Sequence, residues 1–283
     1  MTKPGFIFVG ASKSGSSWLH NYFVRHPAIF VPTAKDTYFF KTYYDKGIDW
    51  YEDFFAAAGP DQIAGEICHD YLHDHHAIDR IAAHYPDIKL ICSLRQPVDR
   101  AISTYLYAAR HGLVDPDMKA KVGQTPGLFL EGRYAEDLEH IYTRFPRENV
   151  LVFLYDDLLE DPRALARRIS DFLNVAPFEY GDIAKKVRAA SKARAPGLSR
   201  LGKKIAVQLR ALGMHNLLGA LKNSDVVQGL LYKQIAVDNR AHYKDLPADE
   251  VDRYLADISR LETLIDRPLG HWIADIETHR ANS

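Results

Sequence analysis

Cysteine is nearly absent: Cys68 and Cys92 are the only two in 283 residues, which excludes a disulfide framework and suits a reducing compartment. An excess of charge of one sign is missing too. The net charge is −1, so bulk attraction to nucleic acid has no basis. No stretch reaches the roughly 18 consecutive apolar residues of a membrane-spanning helix. The N-terminal MTKPGFIFVG leads straight into an apolar segment, so neither a signal peptide nor integral membrane association is expected. These absences point to a cytoplasmic protein without a nucleic-acid partner. No internal repeat or low-complexity tract occurs, and the length allows one or two domains. His69, Asp70, His73, Asp74, His75 and His76 crowd one short stretch, but their spacing is not H-E-x-x-H. A solvated or supporting face is expected there, and no metal.

What is present centres on Phe6 to Phe23, FIFVGASKSGSSWLHNYF. It reads as a buried strand, a Gly/Ser-rich turn and a helix opening near Ser16 and Ser17. Gly10 and Gly15 allow a tight turn where a Cβ would crowd the chain. The turn's amides and the helix N-terminus make an anion site, ringed by the hydroxyls of Ser12, Ser14, Ser16 and Ser17. Lys13 adds a positive charge. The Gly10/Gly15 spacing is that of a Walker A loop, but Ser16 follows Gly15 and the lysine stands three residues earlier. No Walker B aspartate ends a strand to hold a metal.

A second apolar strand, Ile88 to Leu94, is followed at once by Arg95-Gln96-Pro97-Val98-Asp99-Arg100-Ala101-Ile102-Ser103. Pro97 suits the first turn of a helix, so Arg95 emerges at the strand's end and Ser103 lies two turns into the helix. The patterns G-x-x-K-x-G-[ST]-[ST] and R-x-P-x-x-R-x-x-S, in this order, resemble the 5′-phosphosulfate and 3′-phosphate motifs of sulfotransferases that use 3′-phosphoadenylyl sulfate (PAPS). The heparan-sulfate-type and bacterial branches are nearest. The resemblance implies that Lys13 and Ser12 to Ser17, Gly15 included, hold the phosphosulfate. It also implies that Arg95 and Ser103 read the 3′-phosphate, that 3′,5′-ADP (PAP) is the product, and that no metal is needed.

The same resemblance places Asp36, in Lys35-Asp36-Thr37-Tyr38-Phe39-Phe40, where the family carries an acidic residue taken to deprotonate the acceptor hydroxyl. Asp36 is one methylene shorter than the usual Glu, and Tyr38 stands where a His is common. Gly65, Glu66 and Tyr71 match a family segment G-E-K-[ST]-P-x-Y, whereas Ile67 replaces its lysine and His69 its proline. Ten Lys/Arg and no acidic residue lie between Asp182 and Asp225. By position, Lys192 and Arg194 there are expected to close over the cofactor phosphates. Gly112 to Gly127 is turn-rich and is read as an acceptor loop.

Ala28 to Val31, Ile63 to Cys68 and Val150 to Tyr155 read as further strands. Helices follow from Pro97 to Arg110, from Tyr134 to Arg144 and after Pro162, and a closing helical stretch runs to Trp272. Strands alternating with helices require an α/β fold: a P-loop-containing three-layer structure with a central, mainly parallel sheet flanked by helices. The expectation is one domain over 1–283 with a basic helical/loop segment at about 183–224 before the C-terminal helix. The expected activity is sulfuryl transfer from PAPS to a hydroxyl of a saccharide or other small-molecule acceptor, with Lys13 and Asp36 catalytic. A metal-dependent P-loop kinase or NTPase, and a non-catalytic PAP/PAPS-binding protein, stay open at this level.

Overall fold

Strand β1 (Phe6–Gly10) is fully buried, and its side chains alternate between two cores as a strand's period of two requires. Phe6 and Phe8 enter one hydrophobic cluster and Ile7 and Val9 the other. A computed structural model describes residues 2–33, 35–110, 114, 130–181, 183, 191–193, 232–234, 242–243 and 246–281. Within them β1 lies at the centre of a five-stranded sheet of order β2-β3-β1-β4-β5. The other strands are β2 (Ile29–Phe30), β3 (Ile63–Ile67), β4 (Lys89–Leu94) and β5 (Val150–Leu154). Every pairing is parallel.

Helices α1 (Ser16–Arg25) and α7 (Pro162–Leu173) cover the face bearing Phe6 and Phe8. The other face packs on α3 (His75–His84), α4 (Pro97–Arg110), α5 (Tyr134–Arg144) and α8 (Ala248–Ile265). The short helices are α2 (Ile48–Glu52) and α6 (Tyr155–Glu160), and α9 (Gly270–Ala281) closes the described chain. This is the three-layer P-loop-type arrangement expected. The chain runs from β1 to β2 and β3 on one side and then crosses to β4 and β5 on the other. That makes the C-terminal end of β1 the topological switch point, where open α/β sheets hold their ligands.

Three details differ from the expectation. Strand β5 stops at Leu154 because Tyr155 already opens α6, where the Asp157 carboxylate accepts from the Leu154 amide at 3.0 Å. The closing helical stretch is two helices, broken where Asp266 turns left-handed (φ 49°) and Pro268 cannot continue the ladder. Within the basic segment the described part, Ser191–Ala193, is a strand (β6) paired antiparallel with β7 (Tyr232–Gln234). The remainder of that segment, and all of the Gly112 to Gly127 stretch except Val114, lie outside the described residues.

Gly65 on β3 faces Phe6 in register. A Cβ there would lie 2.3 Å from two atoms of the fully buried Phe6 ring. Gly65→Ala is therefore expected to destabilise the fold by about 2–3 kcal/mol, the upper part of the overpacking range. Urea denaturation measures this, and a loss below about 0.5 kcal/mol would show that the ring has room to move.

Candidate functional site

Three segments meet at the C-terminal edge of β3, β1 and β4. The loop after β1 is held from below: the Ala11 amide donates to the Ser93 carbonyl at 2.8 Å, and the Ser93 hydroxyl donates to the Ser14 carbonyl. Gly15 caps α1 at φ 103°, with no side chain capping the helix and no acidic residue in its first turn. A Cβ on Gly15 would meet Leu158 Cδ2 at 3.0 Å in addition to straining the backbone. Lys13 is itself left-handed (φ 66°), and its Nζ lies 4.6 Å over the Tyr107 ring of α4. Ser14 is fully buried and its hydroxyl donates to the Ser12 carbonyl, so it shapes the loop from within. Ser16 and Ser17 both accept from Lys35 Nζ, at 2.9 and 3.4 Å.

Arg95 joins this loop as expected from its place after β4. Its guanidinium donates to the Lys13 carbonyl at 3.4 Å and to Asp99 at 3.1 Å, and stacks 4.9 Å over the Tyr155 ring. Its Nε is buried without a hydrogen-bond partner among the described residues. A buried charged donor left unsatisfied is costly, but Arg133 Nε is buried in the same way, so what ties Arg95 to the site is its bond to the Lys13 carbonyl. Ser103 lies half-buried on α4, and no hydrogen bond joins it to Arg95. The motif's other arginine, Arg100, is fully buried and paired with Glu131 at 2.9 Å, so it belongs to the scaffold.

Asp36 sits across the sheet edge from Arg95. Its backbone is left-handed (φ 67°), with the amide donating to the Ile67 carbonyl at 2.8 Å. The carboxylate is nearly buried, and Oδ1 lies 2.6 Å from His69 Nδ1. His69 follows β3 in a turn wedged against the phosphate loop: the Tyr71 and Leu72 amides donate to the Val9 carbonyl at 3.1 and 2.8 Å. A Cβ on Gly10 would come within 3.1 Å of the His69 carbonyl. Next to Asp36, Thr37 donates through its amide and hydroxyl to Glu66, which also accepts from Tyr51 at 2.8 Å and Tyr71 at 3.2 Å. Burial outweighs these four donors and pushes the Glu66 carboxyl up to about 7. Burial, with the charge of Glu66 adding to it, also raises the Cys68 thiol well above its ordinary range, so Cys68 is no nucleophile.

Lys35 and Tyr155 are site residues that sequence reasoning passed over. Lys35 was legible only as the neighbour of Asp36, and Tyr155 only as the end of a strand. Of the expected cofactor residues, Arg194 lies outside the described residues and Lys192 is described only as part of β6. The histidine cluster is the supporting face expected, exposed at His76: His73 and His75 bind the two oxygens of Asp137 at 2.5 and 3.2 Å, pinning α3 to α5, and Asp74 caps α3. Among the described residues no group of three or more His, Cys, Asp or Glu is arranged to hold a metal.

A parallel sheet between two helical layers, with a glycine-bounded loop and an uncapped helix N-terminus at its central strand, defines a P-loop-type three-layer α/β protein. More particularly, the chain belongs to the sulfotransferase domain family, which it matches over residues 3–194. It is 32% identical to the human heparan sulfate glucosamine 3-O-sulfotransferase 3B1 over 181 residues, 61% of this chain and 46% of that one. It is 29% identical to the human bifunctional heparan sulfate N-deacetylase/N-sulfotransferase 2 over 201 residues, 62% of this chain and 22% of that one. The chain thus spans about half, or less, of the length of these relatives. A solved sulfotransferase from Alicyclobacillus acidocaldarius shares the fold, with a TM-score of 0.66 over 96% of this chain and 99% of that one at 23% identity. Among the described residues no helix is long and apolar enough to cross a membrane.

Proposed function

We propose that this chain is a PAPS-dependent O-sulfotransferase that moves a sulfuryl group to a hydroxyl of a saccharide or other small-molecule acceptor. The observation that carries the reading is the junction of Arg95 with the Lys13 loop, a guanidinium that donates to the Lys13 carbonyl beside an uncapped helix N-terminus. PAPS would bring the sulfuryl group and leave as PAP. Lys13, Lys35 and the first-turn amides of α1 suit the phosphosulfate, and Arg95 with Ser103 suits the 3′-phosphate. Lys192 and Arg194 remain part of the proposal as phosphate contacts. Lys35 supplies a cation on the side where Ile67 replaces the family lysine. The heparan sulfate relatives favour a saccharide acceptor, and the hydroxyl follows the 3-O-sulfotransferases among them. The reading also takes the chain as one domain over 1–283, cytoplasmic, with Cys68 and Cys92 buried and reduced.

Calorimetric titration with PAP and with ATP plus Mg²⁺, on wild type and Arg95→Ala, tests the cofactor. Metal-free PAP binding is expected, weakened roughly 30- to 300-fold in Arg95→Ala as a charge-assisted phosphate contact is lost. Preference for ATP–Mg²⁺ with no response to the 3′-phosphate would overturn the reading in favour of a kinase or NTPase. Label transfer from ³⁵S-PAPS to heparan sulfate, against N-desulfated heparan sulfate and simple phenols, then separates hydroxyl from amine acceptors. A label gained only on the free amine would replace O- by N-sulfation.

A further inference from the structure

Resting on that reading, we propose that Asp99 is a positioning residue for the 3′-phosphate: it aims the Arg95 guanidinium, and Gln96 and Tyr243 anchor it to Asp275 on α9. The Arg95 backbone is fixed, its carbonyl accepting from the Tyr134 hydroxyl at 2.8 Å, but the long side chain beyond it has rotamer freedom to lose. The guanidinium is directed by the Lys13 carbonyl at 3.4 Å and by Asp99 Oδ2 at 3.1 Å, against the Tyr155 ring. The carbonyl belongs to the loop that would take the phosphosulfate. Asp99 belongs to α4, so its hold on Arg95 does not depend on that loop.

Asp99 is itself held from two sides. Its amide donates to Gln96 Oε1 at 2.8 Å, and its Oδ1 accepts from the Tyr243 hydroxyl at 3.4 Å. With Oε1 taken by that amide, Gln96 has one orientation, and its Nε2 donates to Tyr243 at 2.6 Å and to Asp275 Oδ2 at 3.1 Å. Tyr243 donates to Asp275 Oδ2 at 2.9 Å. Burial, with the charges of Asp99 and Asp275 adding to it, pushes the Tyr243 phenol well above its ordinary range, so the hydroxyl stays a donor shared by two carboxylates. Gln96 and Tyr243 are 5% and 6% exposed, and a buried network whose members find partners is stiff. Asp275, Tyr243, Asp99 and Arg95 thus form a relay from the C-terminal helix to the guanidinium. Charge alone predicts the opposite role for Asp99. A carboxylate beside a phosphate-reading guanidinium repels the phosphate, so its removal would strengthen binding. An acid in the first turn of α4 also suits the helix dipole, but that affects stability and not the choice between nucleotides.

Calorimetric titration of the full chain with PAP and with 5′-AMP, which differ only in the 3′-phosphate, separates these roles through the ratio of the two affinities. Asp99→Ala is expected to lower the PAP/AMP ratio roughly tenfold, with AMP affinity within about twofold of wild type. Asp99→Asn keeps the acceptor and removes the charge, so it should hold the ratio at or above the wild-type value. Tyr243→Phe, which keeps the buried ring and loses the hydroxyl, should lower the ratio roughly threefold. Adding Asp99→Ala to Arg95→Ala should change nothing further, because Asp99 acts only through Arg95. A ratio unchanged or raised in Asp99→Ala, or PAP and AMP weakened together, would overturn the proposal while leaving the cofactor reading intact. Wild-type protein that binds PAP no more tightly than AMP would instead sink the sulfotransferase reading, and this inference with it.

Discussion

Lys13→Ala is expected to lower kcat for sulfuryl transfer roughly 10²- to 10³-fold, about 3–4 kcal/mol, with PAP affinity kept within about tenfold. The charge that needs stabilising develops on the bridging oxygen only as the bond to sulfur breaks. A cation placed there acts mainly in the transition state, so its loss appears in kcat more than in binding. The loop amides, Lys35 and Arg95 remain to hold the phosphates of the product. Alanine keeps the Cβ, so the left-handed backbone at Lys13 (φ 66°) changes little. The stacking of Nζ over Tyr107 is lost, but at this half-open position that is worth only about 0.5–1 kcal/mol of stability. Lys13→Arg should rescue incompletely, because a planar fork does not replace a compact ammonium at one oxygen. Asp36→Ala should cost less than Lys13→Ala, because stabilising the charge that develops on the leaving oxygen outweighs a general base. Single-turnover ³⁵S transfer at saturating PAPS, paired with PAP calorimetry, checks this. A Lys13→Ala protein with normal kcat and weakened PAP binding would make Lys13 a binding residue only.

The sheet was legible because buried parallel strands are continuous apolar runs, and β1, β4 and β5 each stand out between polar helices. The loop was legible because Gly10, Lys13 and Gly15 are spaced along the chain itself. Arg95 could be placed from Pro97, which fixes where β4 ends and α4 begins. What could not be read is contact across the chain. His69 was visible as an oddity in a family pattern, but its bond to Asp36 spans 33 residues and depends on β3 lying beside β1. Lys35 reaches the head of α1 only because the chain returns past β2 on its way to β3. What His73 and His75 support could not be read because Asp137, which binds both, sits on a helix more than 60 residues later. The break at Asp266 and Pro268 was readable and was overridden by the strength of the apolar periodicity on either side.

Glu66 carries the other large expected effect, and it links the site to the stability of the fold. Its four donors call for a charged acceptor, but burial in the sheet favours the neutral acid, and burial wins: the carboxyl is raised from its ordinary 4.5 to about 7. A carboxyl raised on folding holds a proton in the folded state that the unfolded chain has already released. Its contribution to stability is therefore complete below about pH 4.5 and is lost as pH rises to about 7, after which it is flat. The swing is about 3 kcal/mol, taking 1.36 kcal/mol per unit.

Glu66→Gln removes that titration while its carbonyl still accepts from Thr37, at a cost of about 1 kcal/mol for the imperfect match to Tyr51 and Tyr71. The variant is thus expected to be less stable than wild type near pH 4 and more stable near pH 8, the two stability curves crossing at about pH 5. Urea denaturation across that range reads the crossing directly. Curves that stay parallel would mean that Glu66 keeps an ordinary carboxylate titration. Activity should respond separately, since Thr37 lies between two left-handed residues, Asp36 and Tyr38, whose conformation costs about 1–3 kcal/mol each and needs holding. At pH 8 the Glu66→Gln protein should therefore be the more stable and the slower of the two, because the charged carboxylate that burial penalises is also the group that anchors Thr37 between Asp36 and Tyr38.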